Sequence, residues 1–342
     1  MKKLKKEKLT ELWSLLAERT SLYLPVDEGG SVNFLPWEKG MEVDLDALNS
    51  TIPPKSIFFQ QTEVYLQYTT EEDGLKFEEI TPQGPAVLFG VRPCDLKGIQ
   101  LLDNVFLQEP EDSLYKQRRL ETTIVALTCT KPDSSCFCTL FDIDPGAAPG
   151  ADLLATDLGE EFVFTAQSEK GESLLEAIAT LLEDAEADSK AVEEVRRQAK
   201  AAVPTHGLDV EGLKEKLDSM FDDPIWGTFY RRCLGCGTCT YLCPTCHCFD
   251  IQDHTRGEEG LRFRCWDSCM FGEFTLMASG HNPRPTQKER VRNRFLHKLN
   301  YYPKNFESYA CVGCGRCVRK CPVNLDMIEV IKALGGVTSG SC

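Results

Sequence analysis

Cys233-Leu-Gly-Cys236-Gly-Thr-Cys239-Thr-Tyr-Leu-Cys243-Pro244 is answered further along the chain by Cys311-Val-Gly-Cys314-Gly-Arg-Cys317-Val-Arg-Lys-Cys321-Pro322. Both runs read C-x2-C-x2-C-x3-C-P, the spacing that holds paired [4Fe-4S] clusters. Three thiolates on a tight loop reach three corners of one cube. The fourth, carried off on the helix that follows, reaches the cluster of the other run. The spacing therefore predicts Cys233, Cys236, Cys239 and Cys321 around cluster 1, and Cys311, Cys314, Cys317 and Cys243 around cluster 2. Glycines beside the ligands let the backbone curl close to a cube, and proline after the last cysteine ends the loop. Structural zinc is the competing reading. Zinc modules pair C-x2-C knuckles, however, and do not repeat a complete four-cysteine run closed by proline. The pattern is that of a chain that moves electrons.

Around these runs lie 342 residues, enough for two or three domains with separate cores. Hydrophobic residues make up 42%, which argues against disorder, and no apolar run has membrane-spanning length. The basic start, Met1-Lys-Lys-Leu-Lys-Lys-Glu, leads into a segment too charged for a signal-peptide core. That segment has the period of an amphipathic helix with Leu9, Leu12, Trp13, Leu16 and Ala17 on one face. Seventeen cysteines without a secretion signal point to metal binding in a reducing compartment, so a cytoplasmic location is expected, in anaerobic metabolism. The net charge of −15 argues against nucleic acid as a partner. Between His281 and Lys304 the balance reverses, with Arg284, Lys288, Arg290, Arg292, Arg294, Lys298 and Lys304 against Glu289 alone. These cations read as a solvated helix face, as a set facing the anionic clusters, or as a dock for an acidic partner.

The first half reads as an α/β layer. Ser21-Leu-Tyr-Leu-Pro, Ser31-Val-Asn-Phe-Leu, Ile57-Phe-Phe and Val64-Tyr-Leu-Gln-Tyr are strand candidates. Ala86–Val91 and Thr123–Thr128 are short apolar runs of the buried-strand type, and a helix is expected from Leu96 to Phe106. Both buried strands empty into cysteines: Cys94 after the first, and Cys129, Cys136 and Cys138 after the second. Loops leaving the carboxyl ends of adjacent strands share a crevice, so these four thiols are the candidate ligands of a third cluster. Buried free cysteines acting as small hydrophobes are the alternative. Asp95 is expected to orient a ligand there and not to ligate, because carboxylate oxygen suits a soft site poorly.

Beyond residue 150 the chain turns acidic, with helices expected over 172–184, 190–202 and 210–221. The 244–310 insert between the two runs is too long for a plain connection and must carry structure. It holds Cys246, Cys248, Cys265 and Cys269, candidates for an extra metal site or for packing against cluster 2. His247 reads as a hydrogen-bond donor behind the ligands. Cys342, in a Gly/Ser tail, is assigned no role. Neither G-x-G-x-x-G nor G-x4-G-K-[ST] occurs, so flavin or pyridine-nucleotide chemistry is expected on another subunit.

Several further phrases occur together: Phe89-Gly-Val-Arg-Pro-Cys-Asp-Leu, Cys136-Phe-Cys138, Cys243-Pro-Thr-Cys-His-Cys-Phe-Asp, Trp266-Asp-Ser-Cys269 and Gly280-His-Asn-Pro-Arg-Pro-Thr leading to Arg292-Asn-Arg-Phe-Leu-His-Lys. With the cysteine runs they resemble the iron-sulfur beta subunit of soluble [NiFe] hydrogenases (sulfhydrogenases). That family includes the A subunit of anaerobic sulfite reductase and subunits of flavin oxidoreductases linked to heterodisulfide reductase. The resemblance covers most of residues 80–330; Cys265 departs from it. It implies an electron-transfer subunit relaying single electrons between a FAD/NAD(P)-binding reductase subunit and a hydrogenase, sulfite reductase or heterodisulfide reductase partner. The alternative is an enzyme reducing a sulfur compound directly at the N-terminal cysteine-ligated cluster. The expected organisation is α/β with α+β character. An α/β domain with a cysteine crevice covers 1–150 and an acidic helical segment 151–225. A two-cluster domain of the alpha-helical ferredoxin type covers 226–330 with its insert 244–310, and a flexible tail follows at 331–342.

Overall fold

The apolar runs Ala86–Val91 and Thr122–Leu127 lie side by side and parallel at the centre of an eight-stranded sheet. The computed structural model that shows this describes residues 1–81 and 84–337. In chain order the strands are β1 (Lys2–Lys5), β2 (Ser21–Asp27), β3 (Val32–Pro36), β4 (Thr62–Glu71), β5 (Gly74–Glu79), β6 (Ala86–Val91), β7 (Thr122–Leu127), β8 (Leu153–Asp157), β9 (Glu161–Ala166), β10 (Glu183–Asp184), β11 (Phe249–Arg256) and β12 (Glu259–Trp266). The large sheet runs β10-β1-β9-β8-β7-β6-β2-β3, and its four central strands β8, β7, β6 and β2 are mutually parallel.

Its centre is apolar on both faces because both faces are covered. Val87 and Phe89 pack with Leu12, Trp13 and Leu16 of the helix Leu9–Ala17, whereas Leu88 and Val91 meet Ile99, Leu102 and Phe106 of the helix Pro93–Phe106. Gly90, at φ +96°, makes a bulge between Phe89 and Val91, and a Cβ there would press on Leu45 and Pro25 at 3.2–3.3 Å. Bulges re-aim the chain at strand ends. This one sends Arg92-Pro93-Cys94 over the sheet edge, with Pro93 in the first turn of its helix.

The structure departs from the sequence reading in four places. Ile57-Phe58-Phe59 is not a strand: Lys55–Phe58 is one helical turn, started by Pro54, and it delivers Phe58 and Phe59 to the core. Residues 151–166 are not helical. Leu153–Asp157 and Glu161–Ala166 extend the sheet, since Leu153, Leu154 and Ala155 are buried and Gly159 supplies the turn between them. The acidic helices begin only at Glu169–Ala177, followed by Ser189–Ala202 and Leu213–Asp218. The basic start forms strand β1, whose Lys2 and Lys3 pair with Asp184 and Glu161. At the other end, the helix Met327–Ala333 runs past residue 331 because Ile331 and Leu334 are buried.

The insert does carry structure of its own. Its hairpin β11–β12 pairs with β4 and β5 in an antiparallel sheet ordered β11-β12-β4-β5. Buried Arg264 pairs with Glu63 of β4 within that sheet at 2.6 Å and ties the sheet to the segment before the helix Ser113–Glu121 through Asp112. The cysteine runs sit over a separate core formed by Trp226, Phe229, Phe295, Leu299, Val330 and Ile331. Cys342 lies outside the described residues. Among the described residues, no helix is long and apolar enough to cross a membrane.

Candidate metal centres

The two runs fold alike. Gly235 and Gly237 of the first have φ of +67° and +74°; Gly313 and Gly315 of the second have +58° and +76°. These left-handed turns curl each loop so that its three cysteines face inward, and Gly237 and Gly315 then open the short helices Thr238–Tyr241 and Arg316–Lys320. Gly313 admits no substitute. A Cβ there would lie 2.4 Å from the Phe137 carbonyl carbon, and Phe137 N–H donates to the Gly313 carbonyl at 2.9 Å.

The cysteines assemble across the runs. Cys233, Cys236, Cys239 and Cys321 line one cavity, cage 1. Cys243, Cys311, Cys314 and Cys317 line a second, cage 2. Each takes three thiols from its own run and one from the other. Cys94, Cys129, Cys136 and Cys138 line a third cavity, the N-terminal crevice, whose other walls include Leu48, Pro93, Pro132, Val203, Gly313 and Cys314. Four thiols spread around a cavity could hold a cube, whereas zinc requires ligands that converge on one point.

The thiols are prepared for metal by their surroundings. In cage 1, Gly235 N–H and Gln287 Nε2 donate to Cys233 Sγ at 3.4 and 3.3 Å, and Leu325 N–H donates to Cys321 Sγ at 3.2 Å. Such hydrogen bonds to sulfur raise the potential of a bound cluster by stabilising its more negative, reduced state. Burial pushes the Cys239 thiol up to about 11, Cys311 to about 12, Cys136 to about 11 and Cys138 to about 12. Thiols raised in this way stay protonated until a metal displaces the proton.

Two buried cations from the basic segment compensate the charge. The helix Gln287–Leu296 passes Arg294 between the cages, where it lines both cavities. It continues as a π-helical turn, His297–Tyr301, which aims Lys298 Nζ at Cys243 Sγ (3.2 Å), Thr245 Oγ1 (2.7 Å) and the Ala310 carbonyl (2.9 Å). A π turn inside a helix commonly marks such a site. Others of the segment serve structure: Arg292 stacks on Phe221 and Lys304 pairs with Asp218.

Asp95, expected to orient a ligand, holds Arg316 instead. Its two carboxylate oxygens accept from Arg316 at 2.6 and 2.8 Å, with both residues buried. Arg316 lies between Cys314 and Cys317, so the ion pair fastens the second run to the α/β sheet. Asn49 Nδ2 to the Cys314 carbonyl (2.9 Å) and Arg319 to Ser135 Oγ (2.5 Å) complete the join. Lys55 Nζ donates to the Cys246 carbonyl at 2.6 Å, and no signal in the sequence marked Arg316, Lys298 or Lys55 individually.

Of the four cysteines in the insert, three are brought together. Cys248 and Cys269 pack into the core beneath the cysteine runs, and Cys246 Sγ lies 3.9 Å from Arg294 Nη1. Cys265 is not with them. It pairs with Asp250 of β11 and Thr62 of β4, on the strand face opposite buried Arg264 and Trp266. His247 donates from Nδ1 to the Thr245 carbonyl at 3.1 Å, and burial lowers its imidazole to about 4.

With this geometry in place, likeness to known proteins is informative. A family described as a 4Fe-4S dicluster domain matches residues 232–325, which span both runs and the insert. Sulfhydrogenase 2 subunit beta of Pyrococcus furiosus is 34% identical over 331 residues, 96% of either chain. The chain belongs to this iron-sulfur beta subunit family. It is a 4Fe-4S electron-transfer subunit of an oxidoreductase, of mixed α/β architecture with the dicluster domain toward its C-terminus. No solved structure is a significant match.

Proposed function

We propose that the chain is the middle of an electron relay with three [4Fe-4S] sites in the order N-terminal crevice, cage 2, cage 1. When bound, the clusters supply one-electron carriers. The observation that carries this reading is the sharing of walls. Gly313 and Cys314 line the crevice as well as belonging to the second run, so crevice and cage 2 are separated by one residue's thickness. Arg294 in turn lines both cage 2 and cage 1. Three four-thiol sites in a row suit conduction.

The ends differ, and so do the partners expected there. Cage 1 reaches the surface at Cys236 and Leu234, which suits docking of a second redox protein. The partners that fit are a FAD/NAD(P)-binding reductase subunit and, given the name of the relative, a hydrogenase catalytic subunit, in the cytoplasm. Direct reduction of a sulfur compound at the crevice is disfavoured by its four thiols, which leave no ligand position for a substrate.

Anaerobic purification of the chain with iron and sulfide analysis and EPR tests the reading. About twelve irons per chain are expected, and about eight would remove the crevice from the relay. Cys136→Ser is expected to lose about four irons while leaving the signals of the cage 1 and cage 2 pair intact. Turnover of sulfite or polysulfide by the isolated chain would overturn the relay in favour of an enzyme.

A further inference from the structure

The fold divides the basic segment 281–304 and leaves part of it without a task inside the molecule. Arg294 and Lys298 line the cages, Arg292 pairs with Asp222, and Lys304 pairs with Asp218. Arg284, Lys288 and Arg290 remain. They sit at the start of the helix Gln287–Leu296, and that end of the helix lies against cage 1. Gln287 Nε2 donates to Cys233 Sγ at 3.3 Å, and Arg290 spans from the Arg284 carbonyl at 3.0 Å to Gln287 Oε1 at 3.3 Å.

Further cations flank ligands of the same cage. Arg231 stands shortly before Cys233 and Lys320 immediately before Cys321, both exposed. Arg232 is already committed. It clasps the Val323 and Asn324 carbonyls at 3.1 and 2.9 Å and pairs with Glu329, tying the start of the first run to the end of the second. Of the nearby acids, Glu289 is committed too, accepting from Thr286 N–H at 2.9 Å in the capping box. Glu273, on the segment that Asn282 holds through the Gly272 carbonyl, is the exposed acid set against the patch. Among the described residues no ion pair holds Arg231, Arg284, Lys288, Arg290 or Lys320. Leu234, between Cys233 and Cys236, adds an exposed apolar side chain to the mouth of the cage.

The chain as a whole carries a net charge of −15, so an acidic protein is repelled over most of its surface. A local cluster of cations reverses that sign, and it both attracts such a protein and orients it. We propose that the mouth of cage 1 is the docking face for an acidic redox partner, which sets carboxylates against Arg231, Lys288 and Lys320 and an apolar side chain on Leu234. The proposal rests on the reading of cage 1 as a port of the relay and adds the partner's charge to it. A polar rim around an apolar centre is the layout of a protein interface. One electron crosses per encounter, from the reduced partner to cage 1 or from cage 1 to the oxidised partner, and no bond is made or broken. A partner with a basic face meets repulsion here, which gives the port its selectivity.

The test uses the full chain, purified anaerobically with its clusters, and a pre-reduced acidic ferredoxin of the bacterial type as the probe. Stopped-flow spectroscopy measures the second-order rate of electron transfer between about 50 and about 500 mM salt, where the rate is expected to fall about tenfold. Lys288→Glu with Lys320→Glu should lower the low-salt rate about tenfold and flatten the salt dependence. Lys5→Glu with Arg19→Glu makes the same charge change on exposed residues of the first half and should leave the rate within about twofold. Iron content and the rate with a small neutral dye are expected to be the same in all three chains. Equal slowing in both double variants would reduce the effect to net charge and overturn the docking face, and so would a rate indifferent to both. Leu234→Gln then separates the two readings. A slower ferredoxin rate in that variant keeps cage 1 as a port and removes only the acidic partner; an unchanged rate removes the port as well.

Discussion

The two cysteine runs share a spacing, a pair of left-handed glycines and a short helix, yet they live in opposite surroundings. In the first run Leu234 is 66% exposed and Cys236 is open to solvent; in the second Val312 is 2% exposed and packed against Cys136 and Tyr302. After the second cysteine the first run has Gly237-Thr238 and the second Gly315-Arg316, and that one difference decides the rest. Thr238 bonds only its neighbour Cys236, at 3.3 Å, and holds that thiol below its usual range. Arg316 reaches across to Asp95, and burial pushes Cys314, the counterpart of Cys236, upward. A ligand motif thus specifies which thiols meet. What surrounds it specifies whether the site faces a partner or lies inside the relay.

The largest effect that separates the runs should come from this arginine. Asp95→Ala strands a buried guanidinium, and breaking a buried pair in this way costs about 3–5 kcal/mol. Thermal unfolding followed by circular dichroism is expected to show that loss, whereas Thr238→Ala in the first run should cost about 1 kcal/mol or less. Equal, small changes would mean that the second run is not anchored by the sheet.

Next in size is the response of cluster loading to pH. Thiols held protonated by burial release protons when metal binds, so loading is opposed below their raised range and improves as pH rises. Burial raises Cys239 in cage 1 to about 11 and Cys311 in cage 2 to about 12, whereas one thiol of each cage is held low, Cys236 beside Thr238 and Cys243 beside Cys246 and Lys298. Reconstitution of metal-free chain from about pH 7 to about pH 9 should therefore raise both EPR signals. A gain confined to one signal would mean that burial of the thiols does not set the loading.

Lys298 offers a smaller, more local contrast. Its ammonium at 3.2 Å from Cys243 favours the reduced state of cage 2, so Lys298→Met should lower that potential by on the order of 60 mV, a tenfold change for a one-electron couple. Cage 1, which Lys298 does not line, should move less in the same EPR-monitored redox titration.

How much of this was legible depended on the range of each interaction. The cysteine spacing is local, and so are the all-apolar runs that end at Cys94 and Cys129; both could be read directly. The Asp95–Arg316 pair spans 221 positions, and nothing near either residue announces the other. Strands β8 and β9 were hidden for a related reason. Their acidic flanks suggest helices, and only pairing with β7 and β1 fixes them as sheet. Cys265 was grouped with the insert's other cysteines by proximity in sequence. The strand period that turns it away from them depends on a register set by β4 and β11.

The smallest expected effect concerns Leu234. An apolar side chain left in water on the loop that carries Cys233 and Cys236 adds little to folding, so Leu234→Gln should change stability by no more than about 0.5 kcal/mol and leave the iron content unchanged. Val312→Gln at the same place in the second run buries a polar amide among Cys136, Tyr302 and Ala310 and should cost about 1–3 kcal/mol. If cage 1 is where a partner docks, Leu234→Gln will still slow electron exchange with that partner, because it removes the exposed apolar side chain beside Cys233 and Cys236. Stopped-flow reduction of the cluster by the partner subunit, against reduction by a small dye, separates the two. A slower rate with the protein partner and an unchanged rate with the dye places the docking surface at cage 1. Unchanged rates with both would move it elsewhere, and the exposure of the first run would then have no bearing on where electrons enter or leave.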